Sequence, residues 1–166
     1  MEIVTIILRI LHIFGAVAWV GGAWLFVFFI EPTVSTLGPD SGKFMNYLVT
    51  VRRYPVYLTT AAIVTLLAGI LLFGLKWGPV WNTSKGITFL IGGLFGIAAG
   101  AVGGMTGASA GRLIALGGEV AKQGKPPTQE QAAEIRGLQE RMRSLGKTTA
   151  VLTSIALLAM AVARYV

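Results

Sequence analysis

Cysteine is absent from this 166-residue chain, which removes disulfides, thiolate metal sites and thiol redox chemistry together. Charge is scarce: 13% of residues are Asp, Glu, Lys or Arg, against about 25% in an ordinary soluble domain. There are seven acidic residues and a single histidine, His12. No phosphate-binding glycine loop, nucleophile–base pair or carboxylate cluster with metal-ligand spacing is found, so catalysis of the soluble-enzyme kind has nothing to rest on. A shortage of charge on this scale also means that most of the chain needs no water-facing surface.

What fills the space is apolar. Hydrophobic residues make up 54% of the sequence and the mean hydropathy is +0.72. A helix needs about 20 apolar residues to cross ~30 Å of hydrocarbon. Four stretches meet that length: 3–29, stopped by Glu31-Pro32; 55–75, opening on Pro55; 86–110; and 148–165. Only helices satisfy their backbone within lipid at this length, so the expected fold is all-α, an integral membrane four-helix bundle forming one domain. The first run is too long for a cleavable signal and no small-residue cleavage site follows it. The net charge of +7 lies in loops between apolar runs, where anionic lipid headgroups account for it and nucleic acid is not expected.

Basic residues set the expected orientation. The loops after the first and third spans carry Lys43, Arg52, Arg53, Arg112, Lys122, Lys125, Arg136, Arg141, Arg143 and Lys147. The opposite side carries Arg9, Lys76, Lys85 and Arg164. The positive-inside rule then puts both termini outside and loops 30–54 and 111–147 in the cytoplasm of a prokaryotic cell membrane. Trp77, Trp81 and Tyr165 would lie at the outer interface, Arg52, Arg53 and Tyr54 at the inner one. Glu31 and Asp40, beside prolines, read as solvated loop charges. Segment 111–147 is broken strongly only at Pro126-Pro127. Beyond it Thr128 and Gln131 form a capping box, and Ala132, Ile135, Leu138, Met142 and Leu145 recur at helical spacing. The third and fourth helices are therefore expected to continue past the membrane as an antiparallel cytoplasmic hairpin, protruding roughly 20–25 Å.

Gly92, Gly96, Gly100 and Gly104 recur every four residues in the third span. Such a row allows close helix packing, within the chain or across a dimer, or leaves room for a flat cofactor against backbone. The ionisable residues inside the spans need a reason of their own. Arg9 and His12 lie one turn apart on a face continued by Gly15, Trp19 and Gly22. His12 falls ~6 Å outward of the first span's midpoint and Met160 at a similar depth in the fourth, with Arg9 and Arg164 sharing a level ~10–12 Å out. An imidazole, a thioether and two guanidiniums so placed suit a haem: His12 and Met160 on iron, Arg9 and Arg164 near the propionates. Equally, His12 can simply bond a neighbouring helix, the arginines can snorkel to headgroups, and Met160 can be packing.

The stretch from Leu11 to Gly22, with His12, Gly15, Ala16, Trp19, Gly21 and Gly22, resembles the H-x-x-G-A-x-x-W-x-G-G opening of copper-resistance D-type membrane proteins. It is similar also to the related haem-containing protoporphyrinogen oxidases and to small uncharacterised membrane proteins. Arg52-Arg53 and Ala68-Gly69 fit the same pattern in the second span, so the likeness covers about the first 75 residues. The resemblance implies metal or porphyrin chemistry at a membrane histidine, here His12. Copper(I) prefers several soft ligands, and the chain has no cysteine and no methionine cluster. The oxidases pair histidine with an intramembrane lysine, which this sequence lacks. The common element is haem b (protohaem IX) on the first-helix histidine. The expectation is a homodimeric b-type cytochrome with a quinone or other redox partner, the second ligand being Met160 or His12 of another copy. The rivals are a cofactor-free subunit of a larger membrane complex and a copper or small-solute permease.

Overall fold

The computed structural model describes residues 2–38 and 41–166; Asp40, one of the two expected loop charges, lies outside them. The described chain is helical almost throughout and contains no strand. Helix α1, Glu2–Leu25, passes through a π-helical turn at Phe26–Ile30 into α2, Glu31–Thr36. After α3, Ser41–Asn46, comes a second π turn at Tyr47–Val51, and then α4, Tyr54–Lys76. A short 3-10 turn at Gly78–Val80 leads to α5, Ser84–Gln123, and α6 is Gln129–Val162.

Local sequence explains each boundary. Pro55 lies in the first turn of α4, where a missing amide hydrogen costs nothing. Thr83 opens α5 by accepting the Gly86 amide at 3.1 Å. Gly124 closes it in the left-handed region, at φ 59°. The expected capping box is present: Thr128 Oγ1 accepts the Gln131 amide at 3.2 Å, and Gln131 Oε1 accepts the Thr128 amide at 3.0 Å. The fourth helix ends at Val162, three residues short of the expected limit.

One boundary differs more. Glu31-Pro32 does not stop the first helix, which runs unbroken from Glu2 to Thr36. A proline inside an α-helix clashes with the carbonyl four residues back and leaves it unpaired. Here the helix widens just before Pro32, the Glu31 amide reaching back five residues to the Phe26 carbonyl. The wider turn carries the chain past the proline. Glu31 is accordingly helical and mostly covered, and its carboxylate meets Arg143 Nε on α6 at 2.9 Å. It is not a solvated loop charge.

The helices associate as two pairs, α1 with α4 and α5 with α6, joined mainly through α4 and α5. Their interior is built from small side chains: Ala61, Ala68, Ala99, Ala150 and Ala163 are buried, and Trp19 is the only large aromatic among them. Thr65, Ser109, Thr149 and Thr153 are buried too, each bonding a carbonyl one turn back in its own helix, so none carries an unmet hydroxyl. The outside is apolar, Phe14, Val17, Phe29 and Leu158 each being more than 60% exposed. Small residues inside and large apolar residues outside invert the water-soluble pattern and match helices packed in lipid. Four helices are long and apolar enough to cross a membrane. The stripe Ala132, Ile135, Leu138, Met142 and Leu145 is half-buried along α6, and Leu116 of α5 is 2% exposed.

Removing the cap tests how α6 begins. Thr128→Ala is expected to cost about 1 kcal/mol locally. That corresponds to roughly fivefold faster hydrogen exchange at the Gln131 amide, with the Gly124 turn and the α1 amides unchanged.

Candidate functional site

His12 faces α4, not lipid. Its Nδ1 lies 2.8 Å from the main-chain oxygen of Thr65. A carbonyl oxygen can only accept, so Nδ1 carries the proton and donates it. In the neutral ring that fixes the tautomer and leaves the lone pair on Nε2. The Thr65 oxygen can serve this bond and its helical one because a carbonyl has two lone pairs.

The bond requires α1 and α4 to lie unusually close, and glycine makes the room. A methyl group on Gly69 would sit 2.7 Å from His12 Cε1 and 2.8 Å from Nδ1, so the imidazole rests against bare backbone. One turn along α1, a methyl on Gly15 would meet Thr65 Oγ1 at 2.6 Å and the Ala61 oxygen at 3.3 Å. Further down, a methyl on Gly22 would meet Leu58 Cδ2 at 2.6 Å. Two phenols repeat the pattern set by His12. Tyr54 donates to the Gly22 carbonyl at 2.6 Å, and Tyr57 donates to that of Ala18 at 3.4 Å. Tyr54 thus turns into the helix pair, away from the headgroup position expected for it, and stacks on Phe26 at 5.8 Å between ring centres. Arg52 lies over the Tyr47 ring at 5.4 Å, and Arg53 adopts a left-handed backbone at φ 51° just before α4.

The remaining expected site residues are distributed around the bundle. Trp19 is 6% exposed and packs with Ala61 and Ala99, bridging α1 to α4 and α5. Met160 belongs to the other pair: a methyl on Gly92 would lie 3.1 Å from its Cε and 3.2 Å from its Cγ. Arg9 and Arg164 are exposed near the ends of their helices. Val27 approaches Gly146, and His12 and Met160 lie fifteen and fourteen residues from those two positions along antiparallel helices. The register aligns them in height, while their side chains meet different neighbours.

The glycine row of α5 divides similarly. Steps of four residues drift about 40° per step around an α-helix. Gly92 therefore receives Met160 of α6, whereas a methyl on Gly100 would meet Leu66 of α4 at 2.8 Å, and Gly104 has nothing within 4 Å. The first three positions of the row face neighbouring helices, a methyl on Gly96 meeting Leu66 at 3.7 Å, and the fourth does not.

Among the described residues no three His, Cys, Asp or Glu side chains come together to hold a metal ion. The donor the chain offers is one oriented imidazole nitrogen, held in the way metal-binding histidines are commonly held, by a bond from the other ring nitrogen. The buried Trp24 Nε1 has no partner, but lies ~18 Å along α1 from His12 and marks no group there. Sequence reasoning missed Thr65, and it noted Gly69 only within the second-span pattern, not as a neighbour of His12. No family model, curated protein or solved structure matches the chain.

The contact between Gly69 and the imidazole predicts a sharp positional effect. Gly69→Ala should destabilise the α1–α4 pair by about 1–3 kcal/mol through overpacking. Gly74→Ala, on the same helix with nothing within 4 Å, should be neutral or slightly stabilising. Thermal unfolding in detergent distinguishes the two; equal effects would mean that the His12 contact does not hold the pair.

Proposed function

We propose that the protein is a multi-pass b-type cytochrome of a prokaryotic cell membrane, with His12 Nε2 as an axial ligand of haem b. The observation that supports this most is the bond from His12 Nδ1 to Thr65, which sets the tautomer and aims a lone pair from a fixed ring. Haem in such a site supplies one-electron transfer. The chain's own contribution is to hold the imidazole against Gly69 and exclude water with the apolar bundle. Arg9 and Arg164, near the outer ends of their helices, are the candidates for the propionates. Met160 would have to leave the Gly92 notch to reach iron, so the second ligand is better supplied by His12 of another copy in a homodimer. The resemblance of Leu11–Gly22 to the copper-resistance D-type and protoporphyrinogen oxidase proteins points the same way. The redox partner, a quinone or another carrier, would approach from the membrane or the outer face.

In this reading the termini are outside, and the ends of α5 and α6, from 111 to 147, form a cytoplasmic hairpin. A second reading, a cofactor-free subunit of a larger complex, draws on the ion pairs Glu31–Arg143 and Arg112–Glu134, which would stiffen that hairpin as a docking element.

The deciding experiment is the visible spectrum of detergent-purified protein before and after dithionite. A cytochrome gives a Soret band that shifts on reduction and sharp α and β bands, lost in His12→Ala while the chain still assembles. A colourless protein made with ample haem, or unchanged haem in His12→Ala, would overturn the assignment. Topology has its own readout: in this cysteine-free chain Gln123→Cys should resist an impermeant maleimide in intact cells and react in inverted vesicles.

A further inference from the structure

One polar cleft remains unused by the proposed cytochrome. It is an open groove of about 280 Å³ between α5 and α6, lined by Met105, Ala108, Ser109, Arg112, Leu138 and Arg141. Met105 and Ala108 of its lining are exposed, and its charged members are both cationic, Arg112 and Arg141. Ser109 does not contribute, because its hydroxyl donates to the Met105 carbonyl at 3.1 Å.

The two arginines stand at one height. Gly92 faces Met160, and Arg112 and Arg141 lie twenty and nineteen residues further towards the α5–α6 turn on the two antiparallel helices. That height is two residues past the third apolar run, where a membrane-spanning α5 would meet phosphate groups. Met105 and Ala108 lie one to two turns deeper, at acyl depth. Arg112 gives its Nε to Glu134 at 2.7 Å and has Glu119 at 3.9 Å, but a guanidinium has five N–H donors and others remain. Arg141 is exposed and makes no ion pair among the described residues. Residues 111–147 hold seven basic and four acidic side chains, a local charge of +3.

Two guanidiniums beside exposed apolar side chains match a phosphate that carries a hydrocarbon. Arginine binds phosphate oxygens as a planar fork, and Met105 and Ala108 have nothing to offer a fully hydrated anion. We propose that this cleft binds the phosphodiester of an anionic phospholipid between Arg112 and Arg141, with the start of an acyl chain along Met105 and Ala108. The inference rests on the membrane reading above and not on the haem.

The test uses the whole protein in nanodiscs of phosphatidylcholine mixed with phosphatidylglycerol, followed by mass spectrometry of the intact protein–lipid complexes. Phosphatidylglycerol should be retained severalfold over phosphatidylcholine. Arg141→Gln should weaken that retention severalfold, bringing the two lipids close to parity, as loss of one charge-assisted hydrogen bond predicts. Arg136→Gln, an exposed arginine outside the cleft, should leave it unchanged. Equal retention of the two lipids, or a preference indifferent to Arg141→Gln, overturns the inference alone. Displacement of the lipid by millimolar inorganic phosphate assigns the cleft to the free anion and overturns it as well. A chain that does not enter nanodiscs overturns the membrane reading with it.

Discussion

Three side-chain donors of the α1–α4 pair, His12, Tyr54 and Tyr57, have no side-chain acceptor to use and bond main-chain oxygens of the facing helix instead. A carbonyl already engaged in its own helix has a second lone pair, which a donor from the facing helix can use. The pair closes on glycines: Gly15 faces main-chain atoms of α4, while Gly22 and Gly69 make room for the side chains of the facing helix. Much else depends on that closeness. Trp19 packs against both Ala61 of α4 and Ala99 of α5, and the imidazole is held by the Thr65 oxygen and Gly69 without any carboxylate. An aspartate could have oriented the same ring, but a lone carboxylate in an apolar bundle carries a large desolvation cost. Neutral backbone orients it without a buried charge.

The sequence revealed the four long apolar helices because their signal is local and summed over some twenty residues each. Thr128 and Gln131 revealed the start of α6 for the same reason, being three residues apart. Pro32 misled because a proline in isolation reads as a stop, whereas the compensating turn depends on how the following residues pack. Glu31 was misread with it: its partner Arg143 is more than a hundred positions away and no local pattern announces the pair. The candidate site divides along the same line. His12 stood out as an ionisable group in an apolar run, yet Thr65 and Gly69, which orient it, look like any threonine and glycine in a membrane helix. Only the register of α1 on α4 distinguishes Gly69 from Gly74, and register is a property of two helices together.

The division into pairs bears on the chemistry proposed. His12 and Met160 have similar heights but belong to different interfaces, one resting on Gly69 and the other on Gly92. The seam between the pairs is formed by Leu66, Trp19 and the middle glycines of α5, and it is filled by side chains. A ligand bridging the pairs within one chain would have to displace that filling, whereas a ligand between copies would not. The proposed homodimer would leave that filling in place.

A π turn is an α-helix carrying one surplus residue, and its effect is one of phase. The turn at Phe26–Ile30 rotates everything after it by about 100° relative to an uninterrupted helix. Glu31 meets Arg143 in that shifted phase. Loss of a single residue between 26 and 30 would restore a regular helix, swing the carboxylate off α6 and set Pro32 against an α-helical turn. Such a deletion, harmless to hydropathy and span length, would separate the membrane-spanning part of α1 from the end that engages α6. In descendants of this chain, length between Trp24 and Pro32 should therefore be held more strictly than residue identity.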